Sequence, residues 1–434
     1  MSLNAFAQDM LRRYRDEIVE VMQSLVRIPS QNMPPTGEEK ACQEFIAGYL
    51  ARHSLTAHLY EPDQVPGLVE HPDYWPGRDY RNRPNLSTVL KGRGGGRSLL
   101  LTGHCDTVAL GENVWTRPPF AAEIHEGRLY GLGAADMKGP LGAMLVLVKA
   151  IAEQGLPLRG SVTFESVVDE EEAGVNSTLA GRLREGVVDG AVICEVTGLE
   201  IYPAARGALI ANVLFGSEGT WLDVARRTEL TADAVEQIGL FLTHLDELRA
   251  IRRGQPVSDL YKHYSDPATV SVTKVYAGGW GSHVPIAVPP VGRIELICQT
   301  LPGEERAAVL GQVDRWLDGL VARYPAAFRA RPQLQFARRW MHPTAMDPAH
   351  PLVATLSACA AQVAGQQPTV VGAPYPCDLW ALQRTFGIPA VVFGPRGGNA
   401  HAADEYVEME SVFGMWATLL MLTCQWCGVD GLEL

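Results

Sequence analysis

The sequence predicts an α/β protein in which a mixed-sheet domain is interrupted by an inserted two-layer α+β domain. Three observations carry this. Apolar, strand-length runs alternate with stretches of helical period at the start of the chain and again near its end. Between about residues 207 and 340 the order becomes strand, helix, strand, strand, helix, strand, the pattern of a small split domain with helices on one sheet face. Clusters of acidic residues and histidine end several apolar runs, and none falls inside that middle stretch. At 434 residues the chain exceeds one ordinary domain. Residues 1–207 and 341–434 are therefore expected to form two parts of one domain, with 208–340 inserted between them.

Over residues 9–27, Met10, Leu11, Tyr14, Ile18, Val21, Met22 and Leu25 share one helical stripe, and Pro29 stops it. Thr36 and Glu39 read as a capping box for a second helix carrying Phe45, Ile46 and Tyr49. Residues 61–85 are rich in Pro, Asp, Trp, Tyr and Arg without a period. They read as an irregular excursion, either around the mouth of a site or simply on the surface. Residues 86–90, 98–102, 161–168 and 190–194 are strand-like. The helix expected over 137–152 is apolar on most sides, as a sheet covered on both faces requires. In the middle stretch, 208–215, 269–276, 292–298 and 333–336 read as strands. Thr231 is expected to cap a helix reaching about Arg249, with Val235, Ile238, Phe241, Leu242 and Leu245 inward. Residues 304–321 form another, with Val309, Leu310, Val313, Leu317 and Leu320 on one face.

Composition excludes several classes. Apolar residues make up 47% and charged residues 20%, ordinary for a globular protein. A formal net charge of -12 without a basic stripe argues against a nucleic-acid partner. No run is long and uncharged enough to span a bilayer, and residues 1–11 lack a signal-peptide pattern, so a cytoplasmic protein is expected. Eight cysteines do not make a disulfide framework, and Cys424 and Cys427 read as buried reduced thiols.

The clusters are His104-Cys105-Asp106, Asp136, Glu170-Glu171, Glu195 and His401. Together they supply enough nitrogen and oxygen ligands for two divalent ions, with a carboxylate to spare for moving a proton. Asp106 either fixes the tautomer of His104 from behind or belongs to an ordinary turn. Asp136 either caps the helix after it or bridges metals. Asp169-Glu170-Glu171-Glu172 is either a solvated loop or a cation site in which one glutamate ligates and its neighbour reaches the water. A buried carboxylate at Glu195 needs a partner.

The pattern as a whole resembles the M20 metallopeptidase family, which includes acetylornithine deacetylase, succinyl-diaminopimelate desuccinylase, aminoacylase and glutamate carboxypeptidase. The resemblance rests on Gly103-His104-Cys105-Asp106-Thr107-Val108, on the stretch from Tyr130 to Gly139 around Asp136, and on Val168-Asp169-Glu170-Glu171-Glu172-Ala173-Gly174. It continues in Glu195-Val196-Thr197-Gly198-Leu199 and from Phe393 through His401 to Asp404-Glu405. It implies a metallopeptidase-like catalytic domain with an inserted lid that also serves dimerisation. It further implies that His104 and Glu195 bind one metal, Glu171 and His401 the other, and that Asp136 bridges them. Asp106 would orient His104, and Glu170 would be general base and then acid. The implied cofactors are two divalent ions, zinc first, with manganese or cobalt as alternatives. The implied partners are a small-molecule substrate and a second copy of the chain.

The sequence departs from the family in its substrate-binding residues. Many relatives carry a lid histidine after the first lid strand; here that region reads Gly216-Ser217-Glu218-Gly219-Thr220-Trp221, leaving His263 and His283 as lid histidines elsewhere. The slot of a carboxylate-binding arginine holds Gln299, which cannot form a bidentate ion pair. Arg206 and Arg293 are other candidate anion binders. These departures weaken transfer of the usual amino-acid amide substrate and leave open a small aromatic or otherwise unusual amide, carbamate or arylamine, with Trp221, Trp280, Trp340 and Trp380 as candidate pocket walls. The leading expectation is hydrolysis of a C–N bond in a small N-acyl amino acid or related molecule. The alternatives are a hydrolytic deaminase releasing ammonia and a non-catalytic binding protein.

Overall fold

The computed structural model describes residues 2–172, 174–216, 233–278, 289, 291–336 and 340–431. The chain divides into two compact units: Met1–Ala204, Ala345–Ala373 and Cys377–Leu434 form one, and Ala205–Thr344 with Pro374–Pro376 form the other.

The first unit is built on a mixed sheet. Its strands run in the order Ile201–Ala205, Ala390–Val392, Ala191–Ile193, Leu99–His104, Val162–Val167, Asn85–Leu90 and His58–Tyr60. Leu99–His104 pairs in parallel with both Val162–Val167 and Ala191–Ile193, while Asn85–Leu90 runs antiparallel. The central strands are apolar because helices cover them. Lys138–Glu153 and Met409–Cys427 pack on Leu99–His104 and on the first helix, and Lys40–Arg52 and Asn176–Glu185 pack on Asn85–Leu90. Because the central strands are parallel, their carboxyl ends share one edge, where open sheets place their sites. His104 closes its strand there, Glu170 follows Val167, and Glu195 follows Ile193.

The first helix spans Leu3–Arg27, earlier in onset than its stripe indicated, because Ser2 accepts a hydrogen bond from Ala5 N and Leu3 and Ala7 extend the buried face. The expected capping box does not form. The Thr36 hydroxyl donates to Met33 O, and the Glu39 carboxylate is taken by Arg83, so Lys40–Arg52 has no side-chain cap. The mixed helix and strand expected near the chain's end includes helices Pro351–Ala364 and Met409–Cys427, while helix Asn176–Glu185 and the hairpin of Glu123–His125 with Arg128–Tyr130 add to the expected elements.

The second unit carries an antiparallel sheet in the order Val270–Ala277, Val291–Thr300, Gly207–Gly216, Gln333–Phe336. Its helices bury Ile238, Phe241, Leu245, Val309, Val313 and Leu317 in a common core with Leu209, Val213 and Ile294. The single helix expected up to Arg249 is two, Ala234–Thr243 and Leu245–Arg253. His244 leaves helical geometry between them, its ring held by Glu247 and the Tyr324 hydroxyl. Val235 and Leu242, expected inside, are exposed. Asp233 caps the first of the pair; Thr231 lies outside the described residues.

Candidate metal centre

Each chemistry-bearing side chain reaches the sheet edge by its own local device. His104 is buried, with Nδ1 2.9 Å from the Asp106 backbone carbonyl and 3.6 Å from Asp106 Oδ1. The carbonyl, not the carboxylate, is thus the nearer partner. A proton donated to it leaves Nε2 as the lone-pair site facing the cluster. The Asp106 carboxylate turns toward the backbone instead, where its Oδ2 accepts from Glu171 N at 3.1 Å.

Asp136 sits in a turn after Arg128–Tyr130. The turn needs glycine at 133, where φ is +82° and a Cβ would meet Thr107 and Lys138 at 2.6 Å. Met137 is the N-cap of the following helix and no side chain caps it, so Asp136 is not a cap. Glu405 fastens this turn by accepting from Gly133 N, Ala135 N and Asp136 N at 2.8, 2.8 and 2.9 Å. The Asp136 carboxylate is then free to face two imidazoles, with Oδ1 3.1 Å from His104 Nε2 and Oδ2 3.0 Å from His401 Nε2.

Glu195 Oε1 lies 3.2 Å from His104 Nε2, and Glu171 Oε2 lies 2.8 Å from His401 Nε2. His401 stands at φ +62° in a loop tied down by Asp404, whose carboxylate accepts from Thr116 N and Arg117 N. The contacts therefore form one continuous chain: Glu195, His104, Asp136, His401, Glu171. Glu170 lines a narrow void of about 10 Å³ with His104, Glu195, Thr178 and Asp378, and Asp378 accepts a hydrogen bond from the Thr178 hydroxyl. Asp169 is buried and Glu170, Glu171 and Glu172 are half-buried, so the acidic run is not a fully solvated loop.

Burial and close contact between carboxylates and imidazoles shift the titration of the cluster. Burial pushes Glu171 up to about 8, helped by Asp136 and opposed by the hydrogen bond from His401. Burial first and Asp136 second raise Glu195 to about 7. Burial also holds Glu170 well above the usual carboxylate range, with Asp378 and Glu195 adding to it against His104. For Asp136, burial is outweighed by hydrogen bonds from His104 and His401, which keep its carboxyl low. His401 rises to about 11 through its bonds to Asp136 and Glu171. Burial and the neighbouring carboxylates thus raise Glu170, Glu171 and Glu195, while the two imidazoles oppose the shift. A divalent ion suits the same donors: His104, Asp136 and Glu171 offer ligand atoms within 4.8 Å of one another.

Of the candidate substrate residues, Arg206, Gln299, Arg293 and Trp340 belong to the second unit and Trp380 to the first. Arg206 is buried, donating to Gln299 Oε1 and to the Pro374 and Asp266 carbonyls. Gln299 also accepts from the Thr269 hydroxyl and donates to Pro374 O, and Arg293 is exposed on its strand. His283, Trp221 and Trp280 lie outside the described residues. Trp340 is buried and donates to His342, and Trp380 packs with Tyr60, Leu68 and Leu179. Sequence reasoning gave no role to Glu405, which is buried against three backbone amides; the acidic pair Asp404-Glu405 after a histidine was the available signal.

Fold and cluster together define a metal-binding hydrolase architecture, a mixed catalytic sheet with an inserted α+β subdomain. The chain belongs to peptidase family M20/M25/M40, whose model matches residues 100–423. It is 25% identical over 438 residues to an N-formyl-4-amino-5-aminomethyl-2-methylpyrimidine deformylase of Halalkalibacterium halodurans, covering 95% of each chain. A protein of the same description from Bacillus subtilis is 25% identical over 439 residues, with 97% of each covered. Among solved structures, human carnosine dipeptidase 1 shares the fold at TM-score 0.75 and 16% identity, over 98% of this chain and 99% of that one.

Proposed function

We propose that this chain is a dinuclear metal-dependent amidohydrolase that cleaves the C–N bond of a small N-acyl substrate. The observation that carries the reading is the contact chain from Glu195 through His104, Asp136 and His401 to Glu171. His104 and Glu195 would hold one ion and His401 and Glu171 the other, with Asp136 shared between them. Zinc suits this mixed nitrogen and oxygen set, as do manganese and cobalt. When bound, such ions lower the pKa of water and polarise the scissile carbonyl. Glu170 takes the proton that the attacking water loses. The same carboxyl then delivers it to the leaving nitrogen, so one residue serves as base and acid. Asp106 holds His104 through its carbonyl and Glu171 through its carboxylate.

The proposed substrate class is supported by the sequence departure at Gln299 and by the state of Arg206. Each is engaged with the other and with backbone carbonyls, an arrangement unlike a bidentate clamp for an amino-acid carboxylate. A short acyl group on an uncharged or heteroaromatic amine fits better, in keeping with the formamide named for the bacterial relatives. Two copies associate through the inserted domain, where Val275 and Tyr276 of the strand Val270–Ala277 are exposed. Eight buried free cysteines fit a reducing compartment such as the cytoplasm.

The test is product analysis on N-formyl and N-acetyl derivatives of aminomethyl heteroarenes, with N-acyl amino acids alongside. Equal amounts of carboxylate and free amine, released only by metal-loaded protein, are expected. Ammonia without carboxylate would replace this reading with deamination.

A further inference from the structure

Asp106 and Glu171 are held from behind by a polar assembly that reaches into the irregular excursion of residues 61–85. Backbone pairing starts it: Asn32 N donates to Thr107 O at 2.8 Å and Thr107 N to Ser30 O at 3.0 Å, laying Asn32 beside Asp106. The Asn32 amide nitrogen donates to Asp106 Oδ2 at 3.0 Å and to Asp169 Oδ1 at 3.2 Å. Its oxygen accepts from Arg83 Nη2 at 3.2 Å. Arg83 is anchored by the Glu39 carboxylate, and Asp169 accepts from the Tyr80 hydroxyl at 2.7 Å and pairs with Arg78 at 3.4 Å. Asn32, Arg83, Asp106 and Asp169 are each at most 1% exposed, so none of these groups can turn to water instead.

We propose that Asn32, clamped by Arg83 and Asp169, is a positioning residue for the metal centre. The excursion is then a brace for that centre. The inference rests on the amidohydrolase reading above and deepens it.

The chemistry selects asparagine. Two carboxylates approach one face of the amide and a guanidinium approaches the other, so the side chain must donate at one end and accept at the other. Aspartate would set a third negative charge between Asp106 and Asp169. Alanine would leave both without this donor. Because Asp106 Oδ2 accepts from Asn32 and from Glu171 N together, a shift of the Asp106 carboxylate displaces the backbone that aims Glu171. It also displaces the carbonyl that orients His104. Partners of this kind are worth about 10–100-fold in metal affinity.

The experiment titrates zinc into metal-depleted wild type, Asn32→Asp, Asn32→Ala and Tyr80→Phe by calorimetry, with unfolding temperature and kcat measured in parallel. Asn32→Asp is expected to bind zinc about 10–100-fold more weakly and to lose kcat rather than KM. Tyr80→Phe keeps the ring and loses only the hydroxyl on Asp169, so a smaller, several-fold loss of affinity is expected. It keeps the inference testable if the Asn32 variants do not fold. Lower unfolding temperatures with unchanged zinc affinity in every folded variant would reduce the assembly to structural support and overturn the inference. Wild type that binds no divalent ion would overturn the amidohydrolase reading itself, which separates the two failures.

Discussion

Replacing Glu405 tests how the turn that carries Asp136 is held. The wild-type carboxylate satisfies three buried amides: Oε2 accepts from Gly133 N, and Oε1 accepts from Ala135 N and Asp136 N. Glu405→Gln keeps the shape. Its oxygen can serve the Ala135 and Asp136 amides, but its NH2 then confronts the Gly133 N–H, donor against donor. One bond is lost and two buried donors, the Gly133 amide and the new NH2, lack acceptors, a cost of about 2–6 kcal/mol before relaxation. At about 2 °C per kcal/mol for a unit of this size, the unfolding temperature falls by about 4–12 °C. Glu405→Ala orphans all three donors, about 3–9 kcal/mol before relaxation. That rivals the whole stability of an ordinary domain, about 5–15 kcal/mol. Asp136 is the last of the three amides, so the alanine variant should also lose zinc affinity in calorimetry, more than the glutamine variant does. The assay is thermal unfolding of metal-free protein, followed by zinc titration at a temperature where each variant is folded. Were Glu405→Ala to unfold within about 1 kcal/mol of wild type, less than the lower bound for even one orphaned donor, the carboxylate would not be what fastens the turn.

Three other outcomes are expected. Glu170→Ala should retain metal by elemental analysis while kcat falls about 10²–10⁴-fold, the usual worth of a general base; normal turnover would remove Glu170 from that role. A chelator should abolish turnover and lower the unfolding temperature, since a ligand at 100 times its Kd contributes about 2.7 kcal/mol, and zinc should restore both; turnover that survives exhaustive chelation would end the metal reading. Lys149 bridges Glu17 and Glu153, and although burial opposes it, those partners raise its pKa. A lysine raised on folding stabilises fully below its unfolded value, and that contribution is lost as pH climbs through the raised one. Lys149→Met should therefore lower stability at neutral pH and flatten the alkaline fall in unfolding temperature, and an unchanged alkaline limb would show that the bridge does not couple to folding.

What the sequence revealed follows from range. Central strands and the stripe of the first helix depend on neighbours along the chain, so period alone found them, to within a few residues. His104, Glu170 and Glu195 were legible because each ends an apolar run. The orientation of Asp106 was not, since its carboxylate is claimed by Glu171 N and Asn32, distant in sequence. The same reason defeated the capping box: Arg83, far along the chain, takes Glu39. The break at His244 depends on Tyr324, whose hydroxyl no local window contains. The excursion had no period to read because its order comes from a succession of single turns, and Tyr80 and Arg78 tie it to Asp169.

The place of the strand Ala390–Val392 governs how the protein can be made. It lies between Ile201–Ala205 and Ala191–Ile193, in the interior of the sheet, yet it is synthesised after the whole second unit. A nascent chain that has emerged only as far as residue 344 therefore holds two strands waiting for a partner, with bare hydrogen-bonding edges facing each other across a gap. Such edges recruit other chains, so aggregation is expected to be greatest while the polypeptide is half made. Any truncation upstream of residue 390 should yield insoluble protein rather than a weakened enzyme.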